Sequence, residues 1–332
     1  MRGEPDLAVL RALGRVGAGA RASITPGGSM SPTVVQTVVF ALAPGGGTPG
    51  PVVLGGEALT NDAMRGEAER LGAETAFVLP AAHDGCAVRL RYFVPRHEME
   101  MCVHGTVAAV TVLAARGMIA GGALRVETPL GPVAATCEPD DAGLAVTVEQ
   151  FAPTFGPALD PAGTDAAAVL DALGLTPDAL DVAKGPLQAA SVSRAKLMVP
   201  LQDWGVLDAL RPDWEALWAA CDRLDVTGFY PFTLRPRAPG RADAEARQFP
   251  RRAGYPEDPA TGVAAAALGA YLVRHGRLPR AQGADGWAAV RIEQGHAMAR
   301  PSALTAEVRV GRADRIRTRV RGRATLEDVV QR

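Results

Sequence analysis

Two apolar runs in this 332-residue chain are each entered through residues able to do chemistry. Cys102 and His104 precede the run Thr106–Ala115, Asp258 precedes the run Thr261–Val273, and Glu74 opens the strand-like text Glu74-Thr75-Ala76-Phe77-Val78-Leu79. A buried helix start presents unpaired backbone N–H groups and a partial positive charge, which suits a carboxylate-bearing ligand. A carboxyl, a thiol and an imidazole around such starts are the side chains of acid/base chemistry on that ligand. Each residue also has a purely structural explanation. Glu74 reads as a solvated strand-end acid, His104 as a helix cap and Cys102 as an inert buried thiol. Asp258-Pro259 reads as an Asp N-cap followed by Pro at the first helical position, and Glu98 and Glu100 read as a solvated turn.

The surrounding text predicts the elements that must position these groups. Val34–Phe40 and Val52–Leu54 are β-branched and separated by a Gly/Pro-rich turn at 44–51; residues 60–71 form a helix capped by Thr60 or Asn61 and stopped by Gly72. Strands follow at 75–79 and 87–94, the latter alternating Val88, Leu90 and Tyr92 inward against Arg89 and Arg91. Thr106–Ala115 and Thr261–Val273 are apolar around the whole helical circumference and end near Gly117 and Gly276, so each belongs inside a fold. Phe93-x-Pro95 precedes the first and Phe249-Pro250 the second, while Leu124–Glu127 and Val290–Glu293 follow them as strand starts. The repetition predicts two pseudo-symmetric α+β domains, each a curved, mostly antiparallel sheet wrapped around a central helix, with a cleft between them. The expected boundaries are an N-terminal extension at 1–33 with a short amphipathic helix (Leu7, Val9, Leu10, Leu13, Val16), domains at 34–150 and 151–326, and a tail at 327–332. A Pro/Gly-rich link around 150–165 and an exposed loop at 235–246 complete the plan.

Composition narrows the function. The 48% apolar and 21% charged content is globular, and 35 basic against 36 acidic residues leaves a net charge of -1. Nothing in that balance draws nucleic acid or an anionic membrane, so the expected partner is a small molecule. Cys86, Cys102, Cys137 and Cys221 are scattered without a CxxC pair, which fits reduced thiols in a cytoplasm, and the five histidines lack metal-ligand spacing. No apolar run approaches a membrane span, and the N-terminus is broken by Arg11 and Arg15 where a signal peptide would be uninterrupted.

Taken together, GTPGPVVL (47–54), GAETAFVLP (72–80), FVPRHEMEMCVHGTVAAV (93–110), GYPEDPATGVAAAALGAYL (254–272) and RIEQGHAMARPS (291–302) resemble, in order, the motifs of the PhzF-like phenazine-biosynthesis isomerases. The resemblance spans roughly residues 34–325. It implies a diaminopimelate epimerase-like fold, a homodimer, no metal and no organic cofactor, and a role in secondary metabolism. It implies catalytic roles for Glu74, His104 and Asp258, with Glu74 shuttling a proton on a small, cyclic, carboxylate-bearing substrate. Cys102, Val103, Gly105, Thr106, Thr261, Gly262 and Val263, at the two helix starts, are the expected substrate-binding residues. Such a shuttle needs one group to serve as base and then acid, which burial favours in a carboxyl. A second carboxyl, Asp258, would oppose double ionisation, with His104 bridging the two.

Two positions depart from the family pattern. Val103 replaces the glycine before the histidine, and Val263 replaces a small or hydroxylated residue after the DPxTG motif; both would narrow the pocket and change the substrate. Met101–Thr106 also resembles the first motif of the proline-racemase group, which would make Cys102 the catalytic thiol of a one-cysteine racemase, epimerase or dehydratase. Pro259 stands where that group has its second cysteine and cannot transfer a proton, which argues against two-thiol racemisation. A ligand-binding member that has lost catalysis is the other alternative.

Overall fold

The computed structural model describes residues 32–238, 240–278 and 286–330, the last three by backbone alone. The expected helix within 7–16 lies outside these residues. The described chain forms two compact units. The first takes the chain through Phe40, Pro49–Glu149 and the segment from Arg321; the second takes Ala41–Thr48 and Gln150–Val320.

In chain order the elements are β1 (Thr33–Val39), β2 (Thr48–Pro49), β3 (Val52–Leu54), α1 (Asn61–Leu71), β4 (Thr75–Leu79), β5 (Val88–Phe93), β6 (Glu98–Met99), α2 (Val103–Ala115), β7 (Gly122–Thr128), β8 (Gly131–Asp140) and β9 (Gly143–Glu149). There follow β10 (Thr154–Ala158), α3 (Thr164–Leu173), β11 (Gln188–Ser191), β12 (Lys196–Pro200), α4 (Trp204–Ala209), α5 (Trp214–Leu224), β13 (Gly228–Thr233), β14 (Ala244–Ala246), β15 (Phe249–Pro250), α6 (Gly262–Arg274), β16 (Ala288–Gln294), β17 (Ser302–Val310), β18 (Ile316–Gly322) and β19 (Ala324–Val330).

The expected duplication is present in the strand pairing. In the first unit β3 runs parallel to β4, β4 antiparallel to β5, β5 parallel to β7 and β7 antiparallel to β8. In the second, β12, β13, β14, β16 and β17 repeat that series of parallel and antiparallel pairs. Parallel neighbours require a crossover, and helices supply it: α1 and α2 in the first unit, α5 and α6 in the second. The α+β architecture with a curled sheet about a central helix is therefore borne out. In the first unit α2 packs against β1, β3, β4, β8, β9 and β19, so the sheet curls about it; in the second, α6 packs against β11, β12, β16 and β17.

Being touched from so many directions explains the composition of the two helices. Every residue of Val103–Ala114 and of Gly262–Val273 is buried, and an amphipathic face would have nothing polar to meet. Small residues set the spacing. A Cβ at Gly269 would lie 2.8 Å from Val308 on β17, so α6 approaches that strand as closely as a glycine allows. Outside the sheets, α1 packs Met64 and Ala68 on Phe77 and Phe93, and α3, α4 and α5 cover Leu197, Val199, Phe229 and Phe249.

Several sequence-based boundaries need correction. Residues 327–330 are no tail: β19 pairs antiparallel with β1, placing Leu326 opposite Thr37. The second domain therefore does not run to 326, and the extension does not include Thr33, which begins β1. The stretch 150–165 is more than a link, because Thr154–Ala158 is a strand on β11. The 235–246 segment is not wholly an exposed loop either. Ala244–Ala246 forms β14, buried between β13 and β16, and Arg237 and Arg241 neutralise the buried Glu245 and Glu293 there. No helix among the described residues is long and apolar enough to cross a membrane.

Candidate active site

In the first unit the expected residues converge. Glu74 immediately precedes β4, whose buried Thr75–Leu79 run carries it into the interior. Cys102 takes an extended conformation (φ -139°, ψ 112°) and is the N-cap of α2, with Sγ accepting the Gly105 N–H at 3.0 Å. The helix thus starts at Val103, three residues before the sequence-based start, and His104 is its second residue rather than its cap. Glu74 is 9% exposed and His104 5%. His104 Nε2 stands 3.7 Å from Glu74 Oε2, too far for a hydrogen bond, and neither that nitrogen nor Glu74 Oε1 has a hydrogen-bond partner in the protein. The solvated strand-end reading of Glu74 is overturned, because the strand entrance is covered.

The residues beneath this pair are fully satisfied. Thr106 spends its one proton on the Cys102 carbonyl (2.7 Å), so the Tyr92 hydroxyl, 2.7 Å away, donates to Thr106 Oγ1. Burial pushes the Tyr92 phenol far up; the Thr106 contact opposes this and the charges of Cys102 and Glu74 add to it, so the phenol stays protonated. Gly105 is required by space: its Cβ would lie 3.0 Å from Cys102 Sγ and 3.2 Å from the Tyr92 ring. Val103 occupies an ordinary helical position, so its β-branch imposes no special backbone geometry.

In the second unit Asp258 is 8% exposed, and its role differs from the expected N-cap. Thr261 is the N-cap of α6, with Pro259 outside the helix. The Asp258 carboxylate accepts the Thr261 hydroxyl at 2.5 Å and the Ala260 N–H at 3.3 Å, folding the Pro259–Ala260 turn about itself. Gln294, at the end of β16, donates to the Asp258 carbonyl (2.6 Å) and to Thr261 Oγ1 (3.2 Å), and its oxygen accepts from Thr261 N–H (3.3 Å) and the Tyr230 hydroxyl (3.1 Å). Burial, with the Asp258 charge added, pushes the Tyr230 phenol far up and keeps it a donor. Gly262 and Val263 begin the buried face of α6. One buried ion pair anchors this loop: Arg247 grips Glu257 at 2.9 and 2.7 Å and also donates to the carbonyls of Leu207 and Leu210.

Sequence reasoning did not single out Tyr92, Tyr230 or Gln294. Tyr92 was legible only as an inward position of an alternating strand, and Gln294 lay unremarked inside the RIEQGH motif. Neither carries a signal of its own, because both act by holding another residue.

Among the described residues, two clusters offer donor sets a metal ion could use. Glu74, Cys102 and His104 each present one atom, all within 4.8 Å of one another, as do Glu245, Glu293 and His296. In the second cluster arginines already neutralise both carboxylates.

Comparison with known proteins places these motifs in context. A family model described as phenazine biosynthesis-like protein (PhzC-PhzF) matches residues 37–328. The uncharacterized isomerase YddE of Escherichia coli O157:H7 is 36% identical over 285 residues, 85% of this chain and 91% of that protein. The trans-2,3-dihydro-3-hydroxyanthranilate isomerase of Pseudomonas chlororaphis is 29% identical over 283 residues, again 85% of this chain and 91% of that one. Among solved structures, the Bacillus anthracis phenazine biosynthesis protein of the PhzF family superimposes with a TM-score of 0.78 at 26% identity, covering 91% of this chain and 99% of that chain.

Proposed function

The chain belongs to the phenazine biosynthesis-like, PhzC-PhzF family of isomerases, and on that premise we propose that it moves a proton between carbons of a small, cyclic, carboxylate-bearing metabolite by carboxyl general acid/base catalysis. The observation that carries this reading is the pair Glu74 and His104, both buried, 3.7 Å apart, with Glu74 Oε1 and His104 Nε2 lacking any protein partner. Burying such groups unpaired opposes folding, and a bound substrate supplies the missing partners.

Glu74 acts first as base. Its carboxylate takes a proton from a substrate carbon, the electron pair of that C–H bond enters the adjacent π system, and the double bond shifts. The same carboxyl then returns the proton to the far carbon, so nothing is oxidised or consumed. His104 hydrogen-bonds the reacting carboxyl or the substrate and holds the proton's path, while the first turn of α2 receives the substrate carboxylate. As the family resemblance implies, Asp258 is a further catalytic carboxyl, and Val103 and Val263 favour a more apolar substrate than a hydroxyl-lined helix start would. The chemistry is carried by side chains, and the enzyme works as a cytoplasmic homodimer in secondary metabolism, as the family resemblance implies.

The test is solvent-isotope exchange. Incubation in D2O with trans-2,3-dihydro-3-hydroxyanthranilate and related cyclic amino and hydroxy acids is expected to place deuterium on a ring carbon, read by mass spectrometry. Glu74→Gln should abolish that incorporation. Binding without exchange in the wild type would instead establish a ligand-binding member without catalysis.

One observation favours a second reading. The Cys102 thiol sits at a helix N-terminus, accepts a backbone N–H and lies within 4.8 Å of the Glu74 and His104 ligand atoms, so a nucleophile-type side chain stands beside an acid/base pair. A one-thiol epimerase or dehydratase would lose exchange on Cys102→Ala and keep it on Glu74→Gln, the reverse of the pattern expected here.

A further inference from the structure

Gln248 is 1% exposed, and neither Oε1 nor Nε2 of its carboxamide has a hydrogen-bond partner in the protein. Among the described residues it alone combines a fully orphaned side-chain amide with a place beside Asp258. The two stand opposite each other in an antiparallel bridge, with Asp258 N–H donating to the Gln248 carbonyl at 3.1 Å, so their side chains leave the same face.

The strands show which face that is. Phe229 and Phe249 are register partners and point into the apolar cluster under α3, α4 and α5. Residues one step away on each strand point the other way. Gly228, Tyr230 and Gln248 therefore share the face that carries Gln294, Asp258 and Thr261. The amide lies over Gly228, where a Cβ would come 2.6 Å from Nε2 and 2.4 Å from the Phe249 carbonyl; Gly228 also sits at φ +149°, so only glycine leaves this room.

The other polar groups named on this face are committed. Tyr230 gives its proton to Gln294, Gln294 spends both ends on Asp258, Thr261 and Tyr230, and Asp258 accepts from Thr261 and Ala260. Of these residues Gln248 alone keeps a free donor and a free acceptor. We propose that Gln248 is a specificity-determining residue that binds a hydroxyl group of a small-molecule ligand on this face of the second unit, accepting its proton on Oε1 and donating to its oxygen from Nε2. A hydroxyl uses both ends of the carboxamide, whereas a carboxylate uses only the donor and would bring a second negative group to Asp258. The inference takes its ligand class from the proposed function and adds the feature that this face of the second unit reads.

The test pairs two probes that differ by one hydroxyl. Binding of 3-hydroxyanthranilate and of anthranilate is measured by calorimetry on the full chain, as wild type and as Gln248→Met, with thermal unfolding of each protein alone. Wild type is expected to bind the hydroxylated probe about tenfold more tightly, the worth of one well-made pair of hydrogen bonds, and Gln248→Met to bind the two probes equally. The variant's unfolding temperature should equal or exceed that of wild type, because methionine removes an unpaired buried amide at similar volume. A hydroxyl preference that survives Gln248→Met, or a variant that unfolds well below wild type, overturns the inference while leaving the proposed function standing. Failure of wild type to bind either probe sinks the proposed substrate class and the inference with it.

Discussion

Glu74 and His104 face each other across 3.7 Å without a hydrogen bond, each more than nine-tenths buried. A stability-driven interior would close such a gap, since a buried carboxylate and imidazole gain by pairing. On the proposed function, leaving it open provides room for a proton in transit. The neighbouring Tyr92–Thr106–Cys102 chain is closed at every link, so the opening is confined to Glu74 and His104.

Glu74→Gln keeps the shape and removes the titrating group. Its deuterium incorporation should fall by about two to four orders of magnitude, the usual worth of a general acid/base, with unfolding temperature held near wild type. Cys102→Ala should keep incorporation within a few fold and lose about 1 kcal/mol of stability from the missing helix cap, measured by urea denaturation. Equal losses of incorporation in both variants would contradict the assignment.

Gly105→Ala tests the packing at the helix start. The added Cβ meets Cys102 Sγ at 3.0 Å, the Tyr92 ring at 3.2 Å and Ala76 at 3.4 Å, and all three are anchored. Overpacking should cost about 1–3 kcal/mol, read as a lower urea midpoint at an unchanged m-value.

The Arg247–Glu257 pair holds both ends of the segment that presents Gln248 and Asp258. Removing one partner leaves a buried charge unpaired, so Arg247→Met or Glu257→Gln alone should destabilise by about 3–5 kcal/mol. The double variant should recover much of that loss, a coupling that a thermodynamic cycle measures directly.

Acid sensitivity should trace in part to Glu293. Burial raises its carboxyl, but the Arg241 and His296 contacts outweigh burial and hold it below the usual carboxylate range. A carboxylate depressed on folding stabilises the native state above its unfolded value, about 4.3 for Glu, and that contribution is lost as pH falls through the lower folded value. Arg241→Met should therefore move the acid-unfolding midpoint to higher pH, followed by circular dichroism. Superimposable acid limbs would show that the pair contributes nothing to the linkage.

Much of this protein is written locally. The two all-apolar helices, the Thr60-capped α1 and the alternation of β5 follow from residue periodicity and caps, which depend only on neighbours in the chain. Ordered motifs likewise reveal the family. What tertiary structure alone decided is which polar atoms go without partners. Asp258 looked like a helix cap until Thr261 was seen to occupy that position, and the Asp258 peptide is held by Gln294 from 36 residues away. Glu74 looked solvated until the strand entrance was seen to be covered, and Gln248 gave no sign at all. The satisfaction of a buried hydrogen-bonding group depends on residues remote in sequence, so no spacing along the chain encodes it.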